Sequence, residues 1–345
     1  MKIFVVNNMV PFVRGGAEEL SNHLIQQLRD HGHRVELIRV PFKYEPPEQI
    51  YSEMLACRMM QIEDADLVIA LKFPAYLIPH PNKVLWLVHQ YRQAYDMWEA
   101  GSSNIPSTPN GIELKRCITE ADSDCFKNVR RMCAISPVIQ QRLKRFNGLD
   151  SELLRTPLNA PEQFVEGEYG DYIFCGGRIN QTKRQYLLVE AMRYTSSKCK
   201  LVIAGPADSS SDGDKLQELV QRYGLSDRVH LDVGFHPREK IASWASNALA
   251  CAYLPIDEDS LGYVSMEANQ AAKGVLTVTD SGGILDLVFH DETGWVCEPD
   301  PIALAAQLDR IHEKRSETIA MGKNAKKRWL AMGINWANTI ERLVA

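Results

Sequence analysis

The chain has 345 residues, 45% of them hydrophobic and 24% charged, with a formal net charge of −5. That length allows two domains, each large enough to bury its own core, and the negative balance gives no global reason to bind nucleic acid. No stretch approaches the roughly 18 apolar residues of a membrane span. Eight cysteines are scattered without a CxxC pair, which points to buried free thiols in a reducing, cytoplasmic setting and away from a zinc or disulfide framework.

The first residues, Met1-Lys2-Ile3-Phe4-Val5-Val6-Asn7-Asn8, form too short an apolar run for a secretion signal and read as a buried strand. Gly15-Gly16-Ala17-Glu18 then opens a helix over 17–30, with Leu20, Leu24, Ile25 and Leu28 on one face and Gly32 as a left-handed stop. The two glycines would let a phosphate or a sugar approach the backbone. The GxGxxG dinucleotide fingerprint is absent here, and a plain strand-to-helix turn accounts for the glycines equally well. Strands are expected at 35–40, 67–71 and 84–88. The last two are almost wholly apolar, as suits parallel strands covered on both faces. His89 stands at the carboxyl end of the 84–88 strand, where an imidazole can hydrogen-bond a sugar hydroxyl, buffer a proton or serve structure alone. Residues 127–146 carry Lys127, Arg130, Arg131, Arg142, Lys144 and Arg145 and no acid. This segment reads as a solvated helix face or as a peripheral contact with an anionic bilayer or acidic acceptor. A strand at 132–136 and a helix from Pro137 complete the first series.

The prolines of Thr156-Pro157-Leu158-Asn159-Ala160-Pro161 mark a linker around 157–168. A second series follows, with strands at 171–176, 200–204, 229–233 and 249–254 and helices at 185–194, 215–223 and 240–247. Two such series imply two doubly wound α/β domains with parallel sheets, facing a cleft, with ligands bound at the carboxyl ends of the strands. The domains are placed at 1–160 and 161–327, with a last helix at 328–345 returning to the first.

Two segments of the second half carry chemistry. In Gly176-Gly177-Arg178-Ile179-Asn180-Gln181-Thr182-Lys183, two cations flank a loop that follows a buried strand. Fixed positive charge there suits a departing diphosphate, on which negative charge grows as its bond to sugar breaks. In Asp259-Ser260-Leu261-Gly262-Tyr263-Val264-Ser265-Met266-Glu267, two carboxylates stand eight positions apart around a small-residue turn and a helix expected from Ser260. The helix N-terminus aims N–H groups at an anion, while a carboxylate two turns in can accept from the vicinal hydroxyls of a ribose. The turn Asp280-Ser281-Gly282-Gly283 follows, with Asp286 read as more structural than catalytic. Gly-x-Ser-x-Gly, HExxH and P-loop patterns are missing.

Taken in order, GGAE at 15–18, His89, the GR(x4)K pattern ending in Arg178 and Lys183, the 259–268 segment and SGG at 281–283 resemble the retaining glycosyltransferases of family 4, which have the GT-B fold. The resemblance implies that Arg178 and Lys183 hold the donor diphosphate, Glu267 binds the ribose, and Gly262, Tyr263 and Val264 offer backbone N–H groups to the phosphates. It further implies that Gly15 and Gly16 approach the donor, that His89 faces the transferred sugar, and that the nucleobase meets the loop of Gly234, Phe235 and His236. The family's usual first glutamate is Asp259 here, one methylene shorter, so the contact with the donor sugar changes. The expected activity is transfer of a hexose-type sugar from a UDP, GDP or dTDP donor to a saccharide or lipid-linked saccharide in bacterial polysaccharide or glycolipid assembly. No cofactor or metal is expected. A nucleotide-sugar 2-epimerase and a non-catalytic activating subunit of the same fold are the alternatives.

Overall fold

The computed structural model describes residues 1–11 and 15–345. It divides into a first unit, Met1–Pro157 with Asn335–Ala345, and a second unit, Leu158–Ile334.

In the first unit six strands form one parallel sheet. They are β1 (Lys2–Met9), β2 (Arg34–Pro41), β3 (Leu67–Lys72), β4 (Lys83–His89), β5 (Arg131–Ala134) and β6 (Glu152–Leu153), in the spatial order β2-β1-β3-β4-β5-β6. β3 and most of β4 are buried on both faces, which is why their sequences lack polar alternation. The helix Pro109–Lys127, absent from the sequence-level reading, is capped by Thr108 and carries the fully buried Asp122. Both Asp122 oxygens accept phenol donors, from Tyr76 and Tyr95, each at 2.8 Å. Burial pushes this carboxyl up to about 7, while the two phenols pull the other way.

The second unit repeats the plan with β7 (Tyr172–Gly176), β8 (Lys200–Gly205), β9 (Val229–Val233), β10 (Ala250–Ala252), β11 (Val275–Val278) and β12 (Gly294–Cys297). The order is β12-β11-β10-β7-β8-β9, every pairing parallel. The chain therefore winds outward from β7 through β8 and β9, then jumps back across β7 to β10. The carboxyl ends of β7 and β10 flank the point where the winding reverses, the position at which open α/β sheets hold their ligands. Two doubly wound domains in one chain constitute the GT-B fold.

Three boundaries differ from the sequence-level expectation. The segment expected to be a linker contributes to the core of the second unit, where Leu158 and Phe164 are buried. The helix Arg315–Ala331 also stays with the second unit: the Trp329 indole donates to the Gln270 side chain at 2.8 Å, and the ring is buried. The chain rejoins the first unit only at Asn335, where Trp336 sets its ring edge-on against Trp86 and Ile340 and Leu343 enter that core. Finally, the helix expected from Ser260 begins at Tyr263, because Gly262 adopts a left-handed φ of 71° and caps it.

Candidate active site

The loops after β7 and β10 converge on a charged cluster. Lys183 Nζ donates to the Glu258 carboxylate, and the Tyr253 phenol donates to the same oxygen, Oε2, at 2.9 Å. The ammonium also lies 5.2 Å from the centre of the Tyr253 ring. Burial, and then the Glu258 charge, push the Tyr253 phenol far above its usual range, so it stays a donor. The backbone of Glu258 is pinned in turn. Its N–H donates to the Ser281 carbonyl at 3.1 Å and its carbonyl accepts from Gly283 at 2.7 Å. A Cβ on Gly282 would stand 2.5 Å from the Glu258 nitrogen, so the SGG turn can lie against this loop only as glycine. Sequence reasoning passes over Glu258 in favour of its neighbour Asp259; the backbone pairing of Glu258 with Ser281 and Gly283 is what sets its carboxylate against Lys183.

Arg184, also unmarked in the sequence, ties the two loops together. It is buried, and its guanidinium donates to the Leu254 and Pro255 carbonyls and to both Asp280 oxygens, at 2.6 to 2.9 Å. Arg178 points to the loop after β8, where Nη1 lies 3.2 Å from Asp208 Oδ1. Asn180 reaches the other Asp208 oxygen at 2.7 Å. The two cations expected to act together are thus each held by a separate carboxylate.

The helix Tyr263–Gln270 starts beside them. Its hydrogen-bond ladder begins with the Ser265 and Met266 amides, both donating to the Gly262 carbonyl, so the Tyr263 and Val264 amides precede it at the positive end of the helix dipole. Val264 packs against Gly177 of the β7 loop. Asp259 lies, half-buried, in the loop ahead of this turn. Glu267, two turns into the helix, is buried, and burial pushes its carboxyl up to about 7 against the pull of Arg238, whose Nη1 is 3.2 Å away. Phe235, in the loop after β9, is 79% exposed, whereas the neighbouring His236 is anchored to Asp232.

On the first unit, His89 Nδ1 lies 2.5 Å from the Gln90 carbonyl, which makes that nitrogen the protonated one. The Gly15 amide donates to Glu18 at 2.9 Å, so the glutamate of GGAE caps its own helix while Gly16 is exposed. The basic segment is largely neutralised within its unit. Arg130 binds the Ala345 carbonyl, and Arg131, Arg142, Lys144 and Arg145 pair with Glu152, Asp96, Asp150 and Glu99. Four of the six cations that mark this segment in the sequence thus have carboxylate partners. Among the described residues no helix is long and apolar enough to cross a membrane.

Residues 159–328 match the family model of glycosyl transferases group 1. The chain belongs to the group 1 glycosyl transferases. Its curated relatives include the alpha-1,3/1,6-mannosyltransferase ALG2 of Mus musculus, 32% identical over 114 residues, which are 33% of this chain and 27% of that protein. The Homo sapiens ALG2 is 26% identical over 214 residues, 55% of this chain and 51% of that protein. The chain thus spans about a quarter to a half of the length of these relatives. Among solved structures, this group 1 glycosyl transferase is similar to sucrose-phosphate synthase from Thermosynechococcus elongatus, with a TM-score of 0.78 at 19% identity, over 99% of this chain and 97% of that one. It is also similar to Anabaena HepE in complex with UDP and glucose, with a TM-score of 0.73 at 14% identity, over 100% and 98%. At those identities the likeness shows the fold.

Proposed function

We propose that this chain is a retaining glycosyltransferase that moves a hexose-type sugar from a nucleotide diphosphate to a hydroxyl of a saccharide or lipid-linked saccharide, in polysaccharide or glycolipid assembly. The observation that carries the reading is the meeting, at the reversal point of the second sheet, of Lys183, the Gly262 helix terminus and the buried Glu267. In this reading Lys183, Arg178 and the Tyr263 and Val264 amides stabilise the departing diphosphate. Glu267 accepts from the ribose hydroxyls, and Phe235 offers a face to the base. Asp259 meets the donor sugar, and His89 and Gly16 on the first unit serve the sugar and the donor. The bond from the anomeric carbon to the diphosphate breaks as the acceptor oxygen attacks from the same face, and the acceptor proton passes to the leaving phosphate oxygen. No cofactor beyond the donor is needed.

The test is a panel of UDP-glucose, GDP-mannose and dTDP-glucose, read by thermal shift and by release of nucleoside diphosphate, with and without EDTA. One donor should raise the melting temperature and be turned over with saccharide acceptors, EDTA being without effect. Lys183→Ala should lower turnover about 100- to 1,000-fold, the usual scale for removing one donor to a developing oxyanion. Absence of both binding and release would refute the reading, and a new nucleotide sugar without free diphosphate would make the protein an epimerase.

A further inference from the structure

Arg238 occupies a place that neither the motif pattern nor the proposed transfer accounts for. It is the first residue of the helix Arg238–Asn247, after the β9 loop, and its guanidinium meets three partners. Nη2 donates to the Asn159 carbonyl at 2.7 Å, the cation stacks 4.9 Å from the centre of the buried Phe164 ring, and Nη1 lies 3.2 Å from Glu267 Oε1. Asn159 and Phe164 belong to the first turn of chain in the second unit, so a rigid platform holds the guanidinium plane. Nε is buried without an acceptor among the described residues, which leaves the two terminal nitrogens to do the fixing. The Cys251 thiol of β10 also faces Glu267; burial raises it well above its usual range, so it stays neutral and Arg238 is the charge that opposes Glu267's burial.

We infer that Arg238 is a positioning residue that fixes the Glu267 carboxylate for the ribose and favours its charged form. This rests on the proposed donor site. The consequence is chemical. An ionised carboxylate accepts from both vicinal hydroxyls of a ribose, whereas a protonated one must spend an oxygen as a donor. With Arg238 in place Glu267 titrates near neutrality. Without it, burial acts unopposed and the carboxyl is protonated at neutral pH. Ribose recognition then switches on only in alkaline solution.

The experiment measures binding of UDP-glucose and GDP-mannose between pH 6 and 8.5, because the diphosphate of an intact nucleotide sugar carries no titrating proton in that range. Wild type, Arg238→Gln, Arg238→Lys and Glu267→Gln are compared on the full chain, with circular dichroism as a check on folding. Arg238→Gln should bind about 10-fold more weakly at pH 7 and recover affinity as the pH rises. Arg238→Lys, which keeps the charge, should restore most of the affinity at pH 7, and Glu267→Gln should be weak and flat with pH. If wild type binds neither probe, the donor site itself fails and this role with it. If wild type binds and Glu267→Gln is weak, but Arg238→Gln keeps the wild-type affinity and pH profile, the role of Arg238 is overturned and the donor site stands. An equal, pH-independent loss in both Arg238 variants overturns it too, because it marks a structural contribution only.

Discussion

Replacing Lys273 by methionine should stabilise the protein. Lys273 precedes β11, is fully buried, and its ammonium has no hydrogen-bond acceptor among the described residues. It lies over the Tyr169 ring, 3.4 Å from the centre. Burial lowers its pKa from 10.5 to about 8; Cys251 and Glu166 oppose that shift, and Arg315 adds to it. The gap between 10.5 and about 8, at about 1.4 kcal/mol per decade, means that carrying the charge at pH 7 costs roughly 3 kcal/mol. Methionine fills a similar volume without charge but forfeits a desolvated cation–π contact of about 2 kcal/mol. The net gain is about 1 kcal/mol at pH 7, or roughly 2–4 °C in the midpoint of a domain of this size. The pH dependence is the sharper test. Between about 8 and 10.5 the unfolded chain holds the proton that the folded chain has lost, so wild-type stability rises through that window. The advantage of Lys273→Met should therefore shrink from pH 7 to pH 10. Thermal unfolding at both values measures it. A variant less stable at pH 7, by an amount that does not change with pH, would refute the reasoning.

Gly262→Ala should cost about 1–3 kcal/mol and abolish nucleotide-sugar binding, because its Cβ would stand 2.5 Å from the Tyr253 ring at a left-handed φ of 71°; denaturant unfolding and the thermal-shift panel check both halves. Asp122→Asn should gain on wild type as the pH rises. The wild-type carboxyl titrates near 7 when folded and near 3.8 when unfolded, so in that window the folded state binds the extra proton and wild-type stability falls with rising pH. The difference in midpoint between variant and wild type at pH 4 and pH 8 tests this, and a constant difference would count against a buried titrating carboxyl.

The alternation of apolar runs with amphipathic helices, repeated on either side of residue 157, is enough by itself to determine two parallel, doubly wound sheets. The runs 67–71 in β3 and 84–88 in β4 are apolar, as suits strands covered on both faces, and that is a property of composition which needs no tertiary information. Family membership is legible for a similar reason: glycines and charges at the ends of buried strands keep their spacing along the chain. Strand order is not written in local sequence. The jump from β9 back across β7 to β10 depends on non-local pairing, and it is this jump that brings the 178–183 and 253–262 loops side by side. The choice among neighbouring charges was likewise tertiary. Nothing in the run Glu258-Asp259 says which carboxylate meets Lys183, and the cations of the 127–146 segment look unpartnered until groups distant in sequence, such as Glu99 and Ala345, are folded against them. Nothing in the sequence marks Arg184 or Arg238, yet the fold surrounds one with carbonyls and Asp280 and sets the other against Phe164 and Glu267. Composition and periodicity depend on each residue's own preference for water, so one sequence shows them; pairing between charges depends on distances that exist only after the sheets have closed.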